Sequence, residues 1–137
     1  VQYSDDDIHR ELSRLDGFFG SERTGGGALF YARHCSVVFM LEIGQRQYHF
    51  EVRSGVIESV NPGPLLMRSW QFAIRATEQD WRRFWSSTPA PGYNDIFAMT
   101  SYGHASIDGD VGSLLKDLRF IKTLIALPRG RLDLLDL

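Results

Sequence analysis

The chain has 137 residues, 43% of them hydrophobic and 23% charged, a composition that excludes global disorder and suits one domain able to bury a core without disulfides or metals. A formal charge of -2, with acids and bases interspersed, supplies neither the basic field of a nucleic-acid binder nor a polybasic membrane anchor. The one cysteine, Cys35, forms no internal disulfide, and no apolar run approaches the roughly 20 residues that span a bilayer, so a cytoplasmic location is expected.

The opening VQYSDDDIHR is acidic where a signal peptide is basic and then apolar, although a chain starting at Val1 leaves open a removed N-terminal segment. Ser4 followed by Asp5, Asp6 and Asp7 places a cap and negative charge at a helix start. Ile8, Leu12, Leu15 and Phe19 then recur at near-helical spacing, predicting an amphipathic first helix. Residues 21–27 (SERTGGG) carry no apolar side chain and read as a loop.

The period then changes to two. Val37, Phe39, Leu41 and Ile43 form one side of a strand, and Tyr48, Phe50 and Val52 alternate with Gln47, His49, Glu51 and Arg53. The second strand is therefore expected to have one wet face. Gly44, Gln45 and Arg46 join the two as a hairpin, and Ser54 with Gly55 turns the chain into a third strand over 56–60; another strand at 29–33 would precede them. The run NPGP at 61–64 ends the meander, since its two prolines lack amide donors.

Trp70, Phe72, Ile74 and Ala76 resume the alternation, with Gln71 and Arg75 on the opposite side. Thr77 with Asp80 resembles a capping box for a helix over 78–85. A short helix is expected within 94–102, where Asp95 assists the N-terminus, ending at Gly103. A strand through Ala105 and Ile107 follows, and Gly109 and Asp110 turn the chain. Asp110 caps a long last helix whose Leu114, Leu118, Ile121 and Ile125 lie three or four residues apart, with Pro128 as its stop.

In the helix after Thr77, Trp81, Phe84 and Trp85 stand at i, i+3 and i+4, so three rings share one side while Arg82 and Arg83 point elsewhere, into solvent or, for one of them, toward an anionic head group. This face packs on a sheet or walls an apolar cavity. Tyr93 to Met99 mix polar anchors with apolar residues, as a pocket mouth does. His104 is the best single candidate for an acid or base, with a hydrogen-bonded structural role as the alternative. His34 and Cys35 are adjacent in an extended segment and point to opposite faces, so they form no direct dyad, and Cys35 reads as a small buried hydrophobe. His9, His34, His49 and His104 lack zinc-site spacing, Gly25 to Gly27 lack a following lysine, and Asp108 with Asp110 lacks the remaining ligands of a calcium loop. No metal or cofactor is implied.

The segments FAIRATEQDWRRFW (72–85) and DIFAMTSYGHASIDGD (95–110) resemble the sterol carrier protein type 2 family of lipid-binding domains, and the likeness covers about residues 36–127. The resemblance implies a single α/β domain with a mixed, mostly antiparallel five-stranded sheet covered by helices. It divides the chain into an N-terminal helix and glycine-rich loop (1–27), a core (28–127) and a tail (128–137) that is a lid or frayed. It further implies an apolar tunnel for a fatty acyl or sterol-like ligand, lined here by Phe72, Ile74, Trp81, Phe84, Trp85, Ile96, Phe97, Met99, Leu118 and Ile121. Transient contact with a membrane or partner enzyme accompanies such a role. Two departures stand out: the ending Leu135, Asp136, Leu137 is no peroxisomal address, which favours a bacterial-type soluble protein, and the loop at 86–93 (SSTPAPGY) is long enough to reshape or close the pocket.

Three functional readings follow. The first is non-catalytic binding or transfer of a hydrophobic small molecule. The second is a small enzyme using His104 with Asp95 or Tyr93 for proton transfer in an apolar pocket. The third is a structural or interaction module whose cavity is filled by its own side chains or tail.

Overall fold

The computed structural model describes residues 3–15, 35–64 and 69–130. Helix α1 (Tyr3–Ser13) comes first, then strands β1 (Val37–Ile43), β2 (Arg46–Arg53), β3 (Val56–Pro62) and β4 (Phe72–Ala76). Helices α2 (Glu78–Phe84) and α3 (Ile96–Ser101), strand β5 (Ala105–Gly109), and helices α4 (Val111–Lys116) and α5 (Leu118–Ile125) complete the order. Phe19, the loop at 21–27, the strand expected at 29–33, His34 and the tail from 131 lie outside the described residues.

The five strands form one sheet in the order β3-β2-β1-β4-β5. Neighbours are antiparallel except β1 and β4, which run parallel with Phe39 opposite Phe72 and Leu41 opposite Ile74. Period-two patterning therefore puts Phe50, Phe39 and Phe72 side by side on one face, where their rings stack at 5.0 and 5.2 Å between centroids. Such a row removes several large apolar surfaces from water at once.

Both meander turns follow from local chemistry. Gly44 and Gln45 form a two-residue connection that closes on the Ile43–Arg46 pair. Ser54 and Gly55 both take left-handed φ angles, 53° and 81°, as a tight hairpin requires. Strand β3 extends to Pro62, beyond the expected break at Asn61, because Asn61 and Pro62 still pair with His49 and Tyr48. Its register shifts between Glu51 and Val52, so Ile57 lies opposite Val52 and Val60 opposite Phe50. This bulge brings two residues an odd number apart onto the same buried face.

The inner face is covered by α1, α2 and α5. Ile8, Leu12 and Leu15 of the N-terminal helical segment are buried in the same cluster as Phe39, Phe50, Phe72, Trp81 and Ile121. Ser4 lies inside the first turn of α1, which begins at Tyr3, so it is not the residue preceding the helix.

Two further expectations, on the sheet and on the last helix, are overturned. His49, predicted on a wet face, is only 4% exposed, because Met40 and Ala73 beside it are also buried and the sheet's second face is covered at its centre. The long last helix is two helices, interrupted at Asp117, whose φ of -120° and ψ of 38° are not helical. Asp117 comes close enough to the buried Cys35 thiol for its carboxylate to help push the thiol pKa up, a tertiary effect that side-chain spacing alone does not reveal.

Candidate functional site

Helix α2 starts because Thr77, in extended geometry, accepts a hydrogen bond from the Asp80 amide at 3.1 Å. The helix then presents its aromatic side to the sheet. Trp81 stacks on Trp85 at 5.0 Å and meets Phe84 edge-on at 5.7 Å, and none of the three is more than 1% exposed. Each indole also satisfies its donor. Trp81 Nε1 donates to the Glu42 carbonyl at the end of β1 at 2.8 Å, and Trp85 Nε1 donates to the Ile125 carbonyl at the end of α5 at 2.9 Å. The two tryptophans thus tie α2 to the sheet and to the last helix, without leaving a buried N–H unpaired.

Phe72 and Ile74 from β4, Ile96 and Met99 from α3, and Ile121 from α5 join this wall in one buried cluster. Phe97 and Leu118 are only partly buried and pack against its margin. Eight of the ten residues expected to line a tunnel thus lie in one buried apolar cluster, with Phe97 and Leu118 at its edge. The rings of Trp81, Phe84 and Trp85 fill one another's space there.

Arg82 corrects the sequence reading. It is buried, at 9% exposure, not solvated: its Nη2 and Nη1 nitrogens donate to Asp7 of α1 at 2.8 and 3.3 Å, and its Nε donates to Glu78 at 3.1 Å. Burial opposes its charge, yet bonds to the two carboxylates outweigh this and raise its pKa. Arg83 is exposed as expected and approaches the Tyr93 hydroxyl at 3.4 Å. The i,i+4 pairing with Glu78 was visible in the sequence, whereas Asp7 is 75 positions away and gave no local signal.

Arg129 is a second, partly buried anchor without a local signal in the sequence. Its Nε donates to the Phe84 carbonyl at 2.9 Å, its Nη2 reaches the Tyr93 and Asn94 carbonyls at 3.3 Å, and its guanidinium lies 4.7 Å from the centre of the Phe84 ring. The Gly130 amide donates a hydrogen bond to the Trp85 carbonyl at 2.9 Å. The turn after α5 is thus fastened to the end of α2 and to the loop that follows it. Burial pushes the Arg129 pKa down.

His104 stands apart from the aromatic wall. Its ring stacks on Tyr93 at 4.6 Å and on Tyr102 at 6.1 Å, and its Nδ1 lies 3.9 Å from an Asp80 oxygen. Tyr93 donates to that same Asp80 oxygen at 2.8 Å. Asp95 is engaged elsewhere, capping α3 through the Ala98 amide at 2.8 Å and pairing with Lys122 at 3.1 Å. Burial favours its neutral form, but these bonds prevail and hold its carboxyl below the ordinary range. The carboxylate beside His104 is therefore Asp80, which the sequence offered only as a capping residue.

An open cleft of about 460 Å³ lies at this corner, lined by Glu42, Arg75, Thr77, Asp80, His104 and Ser106 among others. It sits where the parallel strands β1 and β4 end. Its charges are largely matched internally: Arg75 bridges Glu42 at 2.5 Å and Asp108 at 2.6 Å, while Asp80 receives Tyr93 and Thr77. The cleft carries charged side chains among its lining, unlike the interior behind Trp81. Among the described residues, no group of three or more His, Cys, Asp or Glu side chains is placed to hold a metal, and no helix is long and apolar enough to cross a membrane.

No family model matches the chain, and no curated protein matches it. Solved structures do. The sterol carrier protein domain 2 of Helicoverpa armigera matches with a TM-score of 0.54 and 12% identity, over 88% of this chain and 88% of its own. Sterol Carrier Protein 2 from Yarrowia lipolytica, in its apo form, matches with a TM-score of 0.53 and 7% identity, over 90% of each chain. The fold is SCP2-like. In this SCP2-like arrangement the mixed, mostly antiparallel sheet carries the aromatic wall on its inner face, with helices flanking it.

Proposed function

We propose that the chain binds or transfers a hydrophobic small molecule, of the fatty acyl or sterol-like class, between the inner sheet face and helices α1, α2 and α5. The observation that carries this reading is the aromatic side of α2 buried in one cluster with the Phe39–Phe50–Phe72 row, in a fold shared with proteins whose names record sterol carriage. Such a site needs no catalytic group. Each ligand methylene leaving water contributes about 0.8 kcal/mol, so an acyl chain is attracted mainly by the apolar surface it removes from solvent.

A second reading is favoured by the mutual packing of Trp81, Phe84 and Trp85, each at most 1% exposed: an interior filled by its own side chains, serving a structural or interaction role. Native mass spectrometry of protein purified without added lipid separates the two. An acyl or sterol mass carried through purification supports the binding reading. Protein that is ligand-free and takes up no fluorescent fatty acid excludes it and leaves the filled interior.

A further inference from the structure

The apolar interior is closed on one side by a helix that is attached through side chains. Helix α1 pairs with no strand, and its 11 residues fall below the roughly 12 to 15 at which an isolated helix becomes marginally stable. Ile8 and Leu12 within it, and Leu15 just after it, supply its apolar contacts, while His9 meets the Tyr48 hydroxyl at 3.2 Å. Among the described residues, Asp7 of α1 forms a buried ion pair with Arg82, on the seam between α1 and the aromatic helix α2.

We infer that α1 is a lid over the apolar interior, latched by Arg82, which holds Asp7 on the lid and keeps Glu78 on its own helix as the partner that remains when the lid lifts. The access role of this lid rests on the binding reading above; the latch itself does not. A buried guanidinium stranded by the loss of its partner is strongly unfavourable. Arg82 avoids that state. Glu78 lies one helical turn before it at 3.1 Å, so departure of α1 releases Asp7 to water and leaves Arg82 paired. In the closed state the two carboxylates share one guanidinium and repel each other. Opening therefore costs less than breaking an ordinary buried pair.

This geometry gives two neutralising substitutions opposite effects. Asp7→Asn removes the long-range partner and favours opening. Glu78→Gln removes both the repulsion on Asp7 and the partner that serves the open state, and so favours closure. Hydrogen exchange of the α1 amides, in the full chain without ligand, is expected to accelerate on the order of tenfold in Asp7→Asn and to slow in Glu78→Gln, with the β1 and β4 amides unchanged in both. The uptake rate of a dansyl-labelled fatty acid is expected to follow the same order.

Acceleration in both variants, or equal acceleration in α1 and the sheet, overturns the latch and makes the triad a structural ion pair. Opposite exchange effects without dye uptake in any variant uphold the latch while removing the binding reading. Dye uptake that is insensitive to both substitutions removes α1 as the route of access.

Discussion

Replacing Trp85 with alanine removes the ring stacked 5.0 Å from Trp81 and the indole donor bound to the Ile125 carbonyl at 2.9 Å. The residue is 0% exposed, so the loss combines the transfer energy of a large ring with the void it leaves. Tryptophan-to-alanine changes at such sites cost about 3 to 5 kcal/mol. Since domains of this kind are stable by about 5 to 15 kcal/mol in total, the variant should fold with a much reduced margin. Trp85→Phe retains most of the ring but orphans the carbonyl, at about 1 to 3 kcal/mol. Urea unfolding at 25 °C measures both.

The same void then tests the interior as a ligand site. A ligand that binds only the folded chain adds about 2.7 kcal/mol at a hundredfold excess over its Kd, so an added fatty acid should restore much of what Trp85→Ala loses. A loss below about 1 kcal/mol would refute the packing of Trp85 against Trp81 and α5. A full loss with no recovery at any fatty acid concentration would refute an interior that accepts apolar ligands.

Phe84→Ala should alter fatty acid uptake more than Arg83→Ala, because Phe84 is 1% exposed in the wall while Arg83 faces solvent; equal effects would mean that the wrong face of α2 had been assigned. Arg82 is unsuitable as the polar control, being buried against Asp7. Gly109→Ala should lower the melting temperature by several degrees, since φ there is 95° and an added Cβ would lie 2.6 Å from the Gln71 carbonyl oxygen; a shift under about 1 °C contradicts that close approach. Burial pushes the Cys35 thiol up to about 12, and the Asp117 carboxylate adds to this, so the native thiol should react slowly with a disulfide reagent at pH 8 and rapidly once unfolded. Because its folded pKa is raised, Cys35 contributes stability below the unfolded thiol's pKa of about 8.5 that is lost as pH rises toward the folded value; Cys35→Ala should flatten the alkaline decline in melting temperature. Thr77→Ala should cost about 1 kcal/mol in urea unfolding by removing the cap of α2, and a smaller effect than Arg83→Ala would show that the cap contributes nothing.

Strands β1, β2 and β4 and the starts of α2, α3 and α4 were legible because their causes are local. Alternation in β1, β2 and β4 follows from the pleat, which sends successive side chains to opposite faces. Thr77, Asp95 and Asp110 each bind an amide three residues ahead, a pattern contained within four consecutive residues. The i, i+3, i+4 spacing of Trp81, Phe84 and Trp85 likewise placed three rings on one side of α2 before any partner was known.

What the tertiary structure decided involves residues far apart in the chain. Parallel pairing of β1 with β4 sets Phe39 beside Phe72, the break at Asp117 accompanies its approach to Cys35, and the covered second face of the sheet buries His49. Arg82 shows the limit most directly: helical spacing assigned it to the side away from the rings, but only Asp7 arriving from α1 turned that side into a buried seam. Periodicity reports which side chains share a face. Whether that face meets water or another element depends on long-range packing, which sets the desolvation cost and the partner that offsets it.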